Sequence, residues 1–557
     1  MAEIVLISPR FSPSYWGWEH ALPMLRAKAL FPPIGLPLLA ALTPPGHSVS
    51  IIDENVEAID WDRCARADIV GLTGMNVQRE RMHEILAELK RRGAFVVVGG
   101  PWVSVYEQDF GGRPDAIFIG EAEETWPRFL AEWSEGRHQR RYEQAAKTDM
   151  ATVPAPRFDL LPMHKYLYGG MQISRGCPFT CEFCDIIVVF GRRPRVKRPE
   201  QVIRELDQLA AAGKRDIFIA DDNLVGNKRA IKPILREIAA WQKAHGYKVS
   251  LATEASIDLA EDEEMLRLMA EANIDAVFIG IESTNEASLR ETRKIQNLSD
   301  RAGTLLDKVR RIQAAGIMVT CGLIVGFDND DESVFESHRR FAEQARIPQA
   351  MVNVLLAIPR TPLFERLLRE GRLLGDGAGT YWGSGAFFTN VIPLRMDRGA
   401  LLERYVELVR DLYAPEAFFS RIDALCLEAG WLPASGRTAY LKRHPLRRLA
   451  RSCAAAIQAA YVFAQLMRRV PDAALRRQYR DRLLKVLTRR PNPRLLRMYC
   501  VYCAIHFHYD RLIRQMAADR AGLAIERDRA GTAPAALSNR PGREASPPRR
   551  ATARSPG

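Results

Sequence analysis

The chain has 557 residues, too many for one ordinary domain, and with 47% hydrophobic and 26% charged residues it has the composition of a globular protein with an ample core. Nine cysteines, an odd number, argue against a disulfide framework and for a reducing cytoplasm, and no stretch approaches ~18 uninterrupted apolar residues, so no membrane-spanning helix is expected. The net charge of +13 is uneven: Arg437 to Arg451 holds six Lys or Arg and no acidic residue, which fits either a solvated helix face or a surface for polyanions.

Met1 to Ile7 lacks a basic leader and runs straight into an apolar strand, so no signal peptide is expected. Apolar runs at Ile4–Ile7, Ser48–Asp53, Ile69–Thr73, Phe95–Gly99 and Ala116–Gly120 alternate with helical segments such as Arg79–Arg92. That alternation predicts an α/β unit with a parallel sheet over residues 1–150. Its strand ends carry Gly74, Gly99, Gly100, Gly120 and Glu121, where ligands of doubly wound sheets bind. Residues 151–164 form a linker stiffened by Pro154, Pro156 and Pro162.

Beyond the linker, Cys177, Cys181 and Cys184 are spaced as Cys-x3-Cys-x2-Cys. Structural zinc needs a fourth ligand, and no further Cys or His follows within about forty residues. An iron-sulfur cluster held by three thiolates keeps one iron open to a non-protein ligand. The run Arg175-Gly176-Cys177-Pro178-Phe179-Thr180-Cys181-Glu182-Phe183-Cys184 resembles the signature of the radical S-adenosylmethionine superfamily. The resemblance implies a [4Fe-4S] cluster whose free iron chelates S-adenosylmethionine, and a 5'-deoxyadenosyl radical that removes hydrogen from substrate. The cofactors carry that chemistry, so no side chain is assigned as catalytic.

Placed before such a core, the first 150 residues resemble the cobalamin-binding domain of one large subfamily, with Pro32-Pro33-Ile34-Gly35-Leu36 and Val98-Gly99-Gly100-Pro101 as matching pieces. Cobalamin is the cofactor this implies. The Asp-x-His-x-x-Gly motif that brings an axial histidine in other cobalamin domains is absent, and His20 stands among the wrong neighbours, so cobalt without a histidine ligand is expected.

Residues 165–395 alternate as a partial (β/α)6 barrel, with strands expected at Met171–Ser174, Asp216–Ala220, Lys248–Thr253, Ala276–Ile281, Met318–Val325 and Met351–Ile358. Asp221 and Asp222 follow the second strand; either could cap the next helix, and by resemblance one of them accepts from the methionine ammonium. Glu254 ends the third strand, where a carboxylate must face a ligand or pair with a cation. By resemblance Glu282 contacts the ribose with help from Ser283, and Gly322 to Gly326 packs against adenine. Arg175, Arg192, Arg193 and Arg195 surround the cysteine loop and are expected to neutralise the cluster or cofactor groups.

From Met396 the alternation stops, and residues 396–526 form a helical region with basic amphipathic segments at Leu401–Leu412, Pro415–Gly430, Ala450–Arg469 and Ala474–Leu487. These suit a cap on the barrel or a membrane surface. Cys500, Cys503, His506 and His508 form a second metal-like group that also suits a buried helix, and 527–557 is expected to be a disordered tail.

Residues 1–420 together resemble the hopanoid C-2 methylases and bacteriochlorophyll side-chain methylases. The resemblance implies a cobalamin-dependent radical S-adenosylmethionine methyltransferase acting on an unactivated carbon of an isoprenoid lipid or a tetrapyrrole. Its expected partners are a flavodoxin, ferredoxin or reductase as electron donor and a hydrophobic small-molecule substrate, with no nucleic acid. The expected location is cytoplasmic, with peripheral contact at the inner face of the membrane. The rival expectations are a cobalamin radical cyclase or oxidase without methyl transfer, and a non-catalytic cobalamin or iron-sulfur electron carrier.

Overall fold

The structure, a computed structural model, describes residues 1–374, 389–433 and 436–530. The N-terminal sheet is built from β1 (Glu3–Ser8), β2 (Ser48–Asp53), β3 (Ile69–Thr73), β4 (Val96–Gly99), β5 (Ala116–Ile119) and β6 (Arg141–Glu143), in the order β2-β1-β3-β4-β5-β6. Every pairing in it is parallel. Helices cover both faces, which is why β1, β3 and β4 are near-continuous apolar runs. The first five strands coincide with those expected from the sequence; β6 was not expected, because two of its three residues are exposed and polar.

The second sheet contains β7 (Gly169–Met171), β10 (Asp216–Ile219), β11 (Ser250–Ala255), β12 (Ile274–Glu282), β13 (Met318–Val325) and β14 (Ala350–Val354), ordered β14-β13-β12-β11-β10-β7 and all parallel. Between β7 and β10, β8 (Ser174–Arg175) and β9 (Arg195–Val196) pair antiparallel. The expected strand Met171–Ser174 is thus two pieces: Gly169–Met171 joins the barrel, and Ser174–Arg175 leaves it to close the neck of the cysteine loop. The last strand stops at Val354, short of the expected Ile358, and Glu254 is the penultimate residue of its strand.

A six-stranded partial barrel has two raw edges, and both are covered. Along β7, Leu167 and Tyr168 donate backbone N–H to Ala29 and Leu30 carbonyls at 2.9 Å, and Lys28 donates to Lys165 O at 2.8 Å. Pro32 and Ile34 then fill the space over Gly170. The same loop sends Trp16 and Phe31 into the barrel, onto Phe278 of β12 (4.7 Å between ring centroids) and Phe218 of β10 (4.8 Å). Trp16 and residues 28–34 therefore pack on the barrel, although the sequence places them in the N-terminal domain.

At the other edge, helix Arg398–Leu412 and its continuation cap the carbonyls of β14 and the loop before it. Tyr405 Oη donates to Val352 O at 3.1 Å, Tyr413 Oη to Ala350 O at 2.8 Å, and Arg421 Nε to Ile347 O at 2.8 Å. The helix beginning at Pro415 gives way after Asp423 to a π-helical turn, Ala424–Glu428, so the expected single helix to Gly430 is broken. Helices Pro445–Arg469, Ala473–Arg489 and Pro493–Ala530 follow. The last carries on through the start of the expected tail, whose remainder from residue 531 lies outside the described residues. Among the described residues no helix is long and apolar enough to cross a membrane.

Arg421 is 2% exposed and donates to three carbonyls outside its own helix, Ile347, Pro348 and Leu412. Arg421→Leu should leave those carbonyls unpaired and lower stability by about 3 kcal/mol, measured as a fall in the urea midpoint.

Candidate functional site

The cysteine loop is fixed at its neck. Gly176 has φ +92, and a Cβ there would lie 2.9 Å from Gly191 O and 3.0 Å from Arg193 O, so glycine is required. Cys177 N–H donates to Gly191 O at 3.2 Å, closing the loop on itself. Inside it Cys181 is buried, while Cys177 and Cys184 are half-buried. Burial pushes the Cys184 thiol well up and the Cys177 thiol up, an environment that favours the thiolate only when a cation arrives.

Two amides point at the sulfurs: Asn223 Nδ2 is 3.8 Å from Cys177 Sγ, and Gln296 Nε2 is 3.6 Å from Cys181 Sγ. Lys294, 9% exposed, adds a full charge nearby; burial works against that charge, but Glu282 and the Cys181 and Cys184 sulfurs raise its pKa. Its Nζ donates to Glu282 Oε1 at 2.8 Å and lies 5.9 Å from the Phe183 ring centroid. Among the described residues no three His, Cys, Asp or Glu converge on a single ion. A cluster, by contrast with a single ion, takes one thiolate per iron. With two amide donors and one ammonium facing the sulfurs, the residues present fit an anionic cluster.

The carboxylates expected around it have different roles. Asp221, 1% exposed, uses both oxygens: Oδ1 accepts from Ile173 N–H at 2.7 Å, and Oδ2 from Ser174 N–H at 2.9 Å and Ser174 Oγ at 2.7 Å. It pins the turn between β7 and β8, and burial pushes it up to about 6. Among the described residues Asp222 accepts from Gly176 N–H alone, at 2.6 Å through Oδ2. Burial, with the charge of Asp221, pushes it up to about 7.

Glu254 faces the barrel interior, pushed up to about 8 by burial and then by the charges of Asp222, Asp221 and Glu282. The salt bridge allowed for it on sequence grounds is not formed among the described residues. Glu282, at φ +62, folds its carboxylate back over Gly280, where a Cβ would collide with its Oε1. Ser283 is fully buried, and its hydroxyl accepts from Asn285 N–H at 3.0 Å.

The glycines of β13 have protein neighbours. A Cβ on Gly322 would lie 2.9 Å from Phe278 Cζ, and one on Gly326, at φ +103, would lie 3.0 Å from Leu401 Cδ2. At the N-terminal strand ends Gly100 has φ +100 and Gly120 φ +79, Gly74 lies under the Met82 sulfur, and Gly99 abuts Phe118. Around them Phe11, Met75 and Val77 are exposed, at 38%, 43% and 61%. Flexible glycine turns beside exposed apolar side chains fit a broad, largely apolar ligand such as a corrin. His20 turns away from this face: its backbone N–H donates to His508 Nδ1 at 3.3 Å, with the two rings 5.5 Å apart.

Glu121, expected as a ligand contact, is 4% exposed and already engaged by Arg195 at 2.8 Å, Arg175 at 3.3 Å and Thr148 N–H at 2.6 Å. Arg175 also pairs with Glu123. The expectation that Arg175 and Arg195 neutralise the cluster is thereby corrected, since their charges are balanced inside the protein. The second metal-like group is likewise core: His506 bonds Tyr479 Oη at 2.7 Å and Tyr413 O at 3.1 Å, and Cys500 Sγ bonds Ala459 O at 3.4 Å. Sequence inspection missed Lys294, Gln296 and Asn223, which reach the sulfurs from two separate loops; Lys294, directly after Arg293, does not stand out among its neighbours.

Comparison with known proteins gives three family matches: the radical SAM superfamily over residues 171–342, the B12 binding domain over 22–130, and a domain of unknown function, DUF4070, over 361–521. An uncharacterized methyltransferase of Synechocystis sp. is 40% identical over 422 residues, covering 75% of this chain and 77% of the relative. A hopanoid C-2 methylase of Rhodopseudomonas palustris is 34% identical over 426 residues, covering 75% and 78%. Among solved structures, the cobalamin-dependent S-adenosylmethionine radical enzyme OxsB with aqua-cobalamin bound aligns with TM-score 0.58 at 16% identity, over 94% of this chain and 81% of that one; the likeness concerns fold.

Glu254 offers a test in the apo protein. Its folded pKa of about 8 lies above the unfolded value of 4.5, so the stability of the neutral form is complete below the unfolded value and is lost as pH rises through about 8. The thermal unfolding midpoint of the apo protein should fall as pH rises from about 4.5 to about 8, and Glu254→Gln should flatten that fall.

Proposed function

This chain belongs to the cobalamin-dependent radical S-adenosylmethionine methyltransferases, and from that premise we propose that it methylates an unactivated carbon of an isoprenoid lipid of the hopanoid kind. The observation carrying the substrate class is the 34% identity to a hopanoid C-2 methylase across three quarters of both chains. The reading carries with it a peripheral contact with the membrane that holds such a lipid, and an electron donor of the flavodoxin or ferredoxin class.

When bound, the cluster, S-adenosylmethionine and cobalamin supply the electron, the hydrogen-abstracting radical and the methyl group. The chain's residues hold and shield them. Cys177, Cys181 and Cys184 anchor the cluster, with Asn223, Gln296 and Lys294 supplying hydrogen bonds and charge to the sulfurs. Asp222 keeps one carboxylate oxygen without a protein partner, whereas Asp221 uses both, so Asp222 is the residue to receive the methionine ammonium. Glu254 stays protonated near neutral pH and can donate a hydrogen bond inside the barrel. Glu282, held by Lys294, keeps Oε2 free for a ribose hydroxyl, with Ser283 beside it. Gly74, Gly99, Gly100 and Gly120 let the backbone come close to the corrin. Trp16 and Phe31 lie on Phe278 and Phe218 and narrow the approach to the barrel.

Two experiments test this. Asp222→Asn should weaken S-adenosylmethionine binding about 10- to 100-fold with the unfolding midpoint unchanged, whereas Asp221→Asn should lower the midpoint. Reconstituted enzyme given S-adenosylmethionine with a deuterated methyl group should place the label in an isoprenoid lipid extract. Deoxyadenosine without label in product would instead mark a cyclase or oxidase, and label in a tetrapyrrole would overturn the lipid assignment. No deoxyadenosine from wild type, or none lost in Cys181→Ala, would sink the radical assignment altogether.

A further inference from the structure

The helical region matched by a domain of unknown function carries an unusual surface. Between Glu428 and Asp472 the chain has no acidic residue and eight Lys or Arg. Helix Pro445–Arg469 buries Ala455, Ala459, Val462 and Leu466 against its neighbours. Its opposite face is open: Leu446 is 82% exposed, Leu449 62% and Ile457 70%, with Cys453 exposed between them. Leu449, Cys453 and Ile457 recur every four residues, so they form one ridge. Lys442, Arg443, Arg447 and Arg448 are exposed along its first turns.

The arginines gathered here are not neutralised within the protein. None of Arg437, Arg443, Arg447, Arg448, Arg451, Arg494 and Arg497 forms an ion pair with a carboxylate among the described residues. Arg437 and Arg451 instead donate to the carbonyls of Tyr247 and Gly246, at 3.2 and 2.7 Å. Burial, followed by the charges of Arg437 and Arg494, lowers the pKa of Arg451 to about 10. Burial lowers Arg494 as well, followed by the charges of Arg437, Arg497 and Arg448. Only Asp275 and Asp216 act in the opposite sense on Arg437, with burial the larger effect.

We propose that the face formed by Lys442–Ile457, with the arginines of the adjoining helix start at Arg494 and Arg497, docks this enzyme on an anionic phospholipid surface. The phosphate headgroups would lie against the arginines, with Leu446, Leu449 and Ile457 inserted below them. An acidic electron-carrier protein could also meet a basic patch, but the position argues against it. The patch packs on Gly246 and Tyr247 and faces Asp216 and Asp275, at the amino ends of the barrel strands, while the cysteine loop is held by Asp221 and Asp222 at their carboxyl ends. A carrier bound at the patch would face the wrong end of the barrel, and it would have no use for a leucine ridge.

The proposal rests on the membrane contact in the functional reading, but its test does not require the substrate to be known. Full-length holoenzyme is floated with vesicles of phosphatidylcholine alone or of phosphatidylcholine with phosphatidylglycerol. Flotation with the anionic vesicles only is expected. It should fall about a hundredfold in Lys442→Glu/Arg443→Glu/Arg448→Glu, from about fivefold per basic residue. Leu446→Ser/Leu449→Ser/Ile457→Ser should remove the binding that survives raised salt. Cofactor absorbance and deoxyadenosine formation, expected to be unchanged in both variants, report on the methyltransferase assignment separately. Equal flotation of wild type and variants would overturn the proposal, as would no flotation of the wild type. A flavodoxin or nucleic acid that binds wild type but not the variants, without vesicle binding, would reassign the patch.

Discussion

Everything in the site is aligned by a buried charge network at the junction of two sheets. Glu121, at the end of β5, takes Arg195 and Arg175 from the two short strands that close the cysteine loop, and Glu123 takes Arg175 from the other side. All four side chains are nearly out of water, at 1% to 13% exposure. Such an arrangement contributes little net stability, because desolvation offsets most of the attraction, but it is intolerant of displacement. Sliding one sheet past the other would strand several charges in a dry interior. Arg360 and Lys147 reinforce the junction by donating to Ser104 O at 2.6 Å and to Val189 O. The relative placement of the two sheets is thus held by ion pairing at the neck of the cysteine loop.

The barrel interior follows the opposite principle. Asp222 and Glu254 are carboxyl groups with too few protein partners, kept near neutrality by burial and by one another. Left empty, the cavity holds acids that cannot all ionise. A cationic guest changes the balance, because its charge stabilises the ionised forms that the protein alone does not. S-adenosylmethionine, with its ammonium and sulfonium, is such a guest.

How much of this was legible in the sequence depended on whether the signal was local. The apolar runs of β1 to β5 announce themselves because parallel strands are buried on both faces, and the cysteine spacing is complete within eight residues. β6 has too little apolar surface to notice, and β7, Gly169-Gly170-Met171, lacks side chains where Pro32 and Ile34 must pack. Glu121 shows the limit of residue-type reasoning. A buried carboxylate at a strand end looks the same whether it awaits a ligand or an arginine fifty residues away. Gly322 illustrates the same ambiguity, since the space above it is claimed at least in part by Phe278 on the neighbouring strand. Lys294, Gln296 and Asn223 were invisible because only the tertiary fold brings them to the sulfurs.

The strip of chain at residues 28–34 that seals β7 has a consequence for how the molecule is made. The first half of the barrel's seam is synthesised long before the strand it must cover, so the catalytic barrel remains open-edged until an earlier-made loop of the other domain folds back onto it. The two domains are therefore joined twice, end to end through the linker and again along this edge of the barrel.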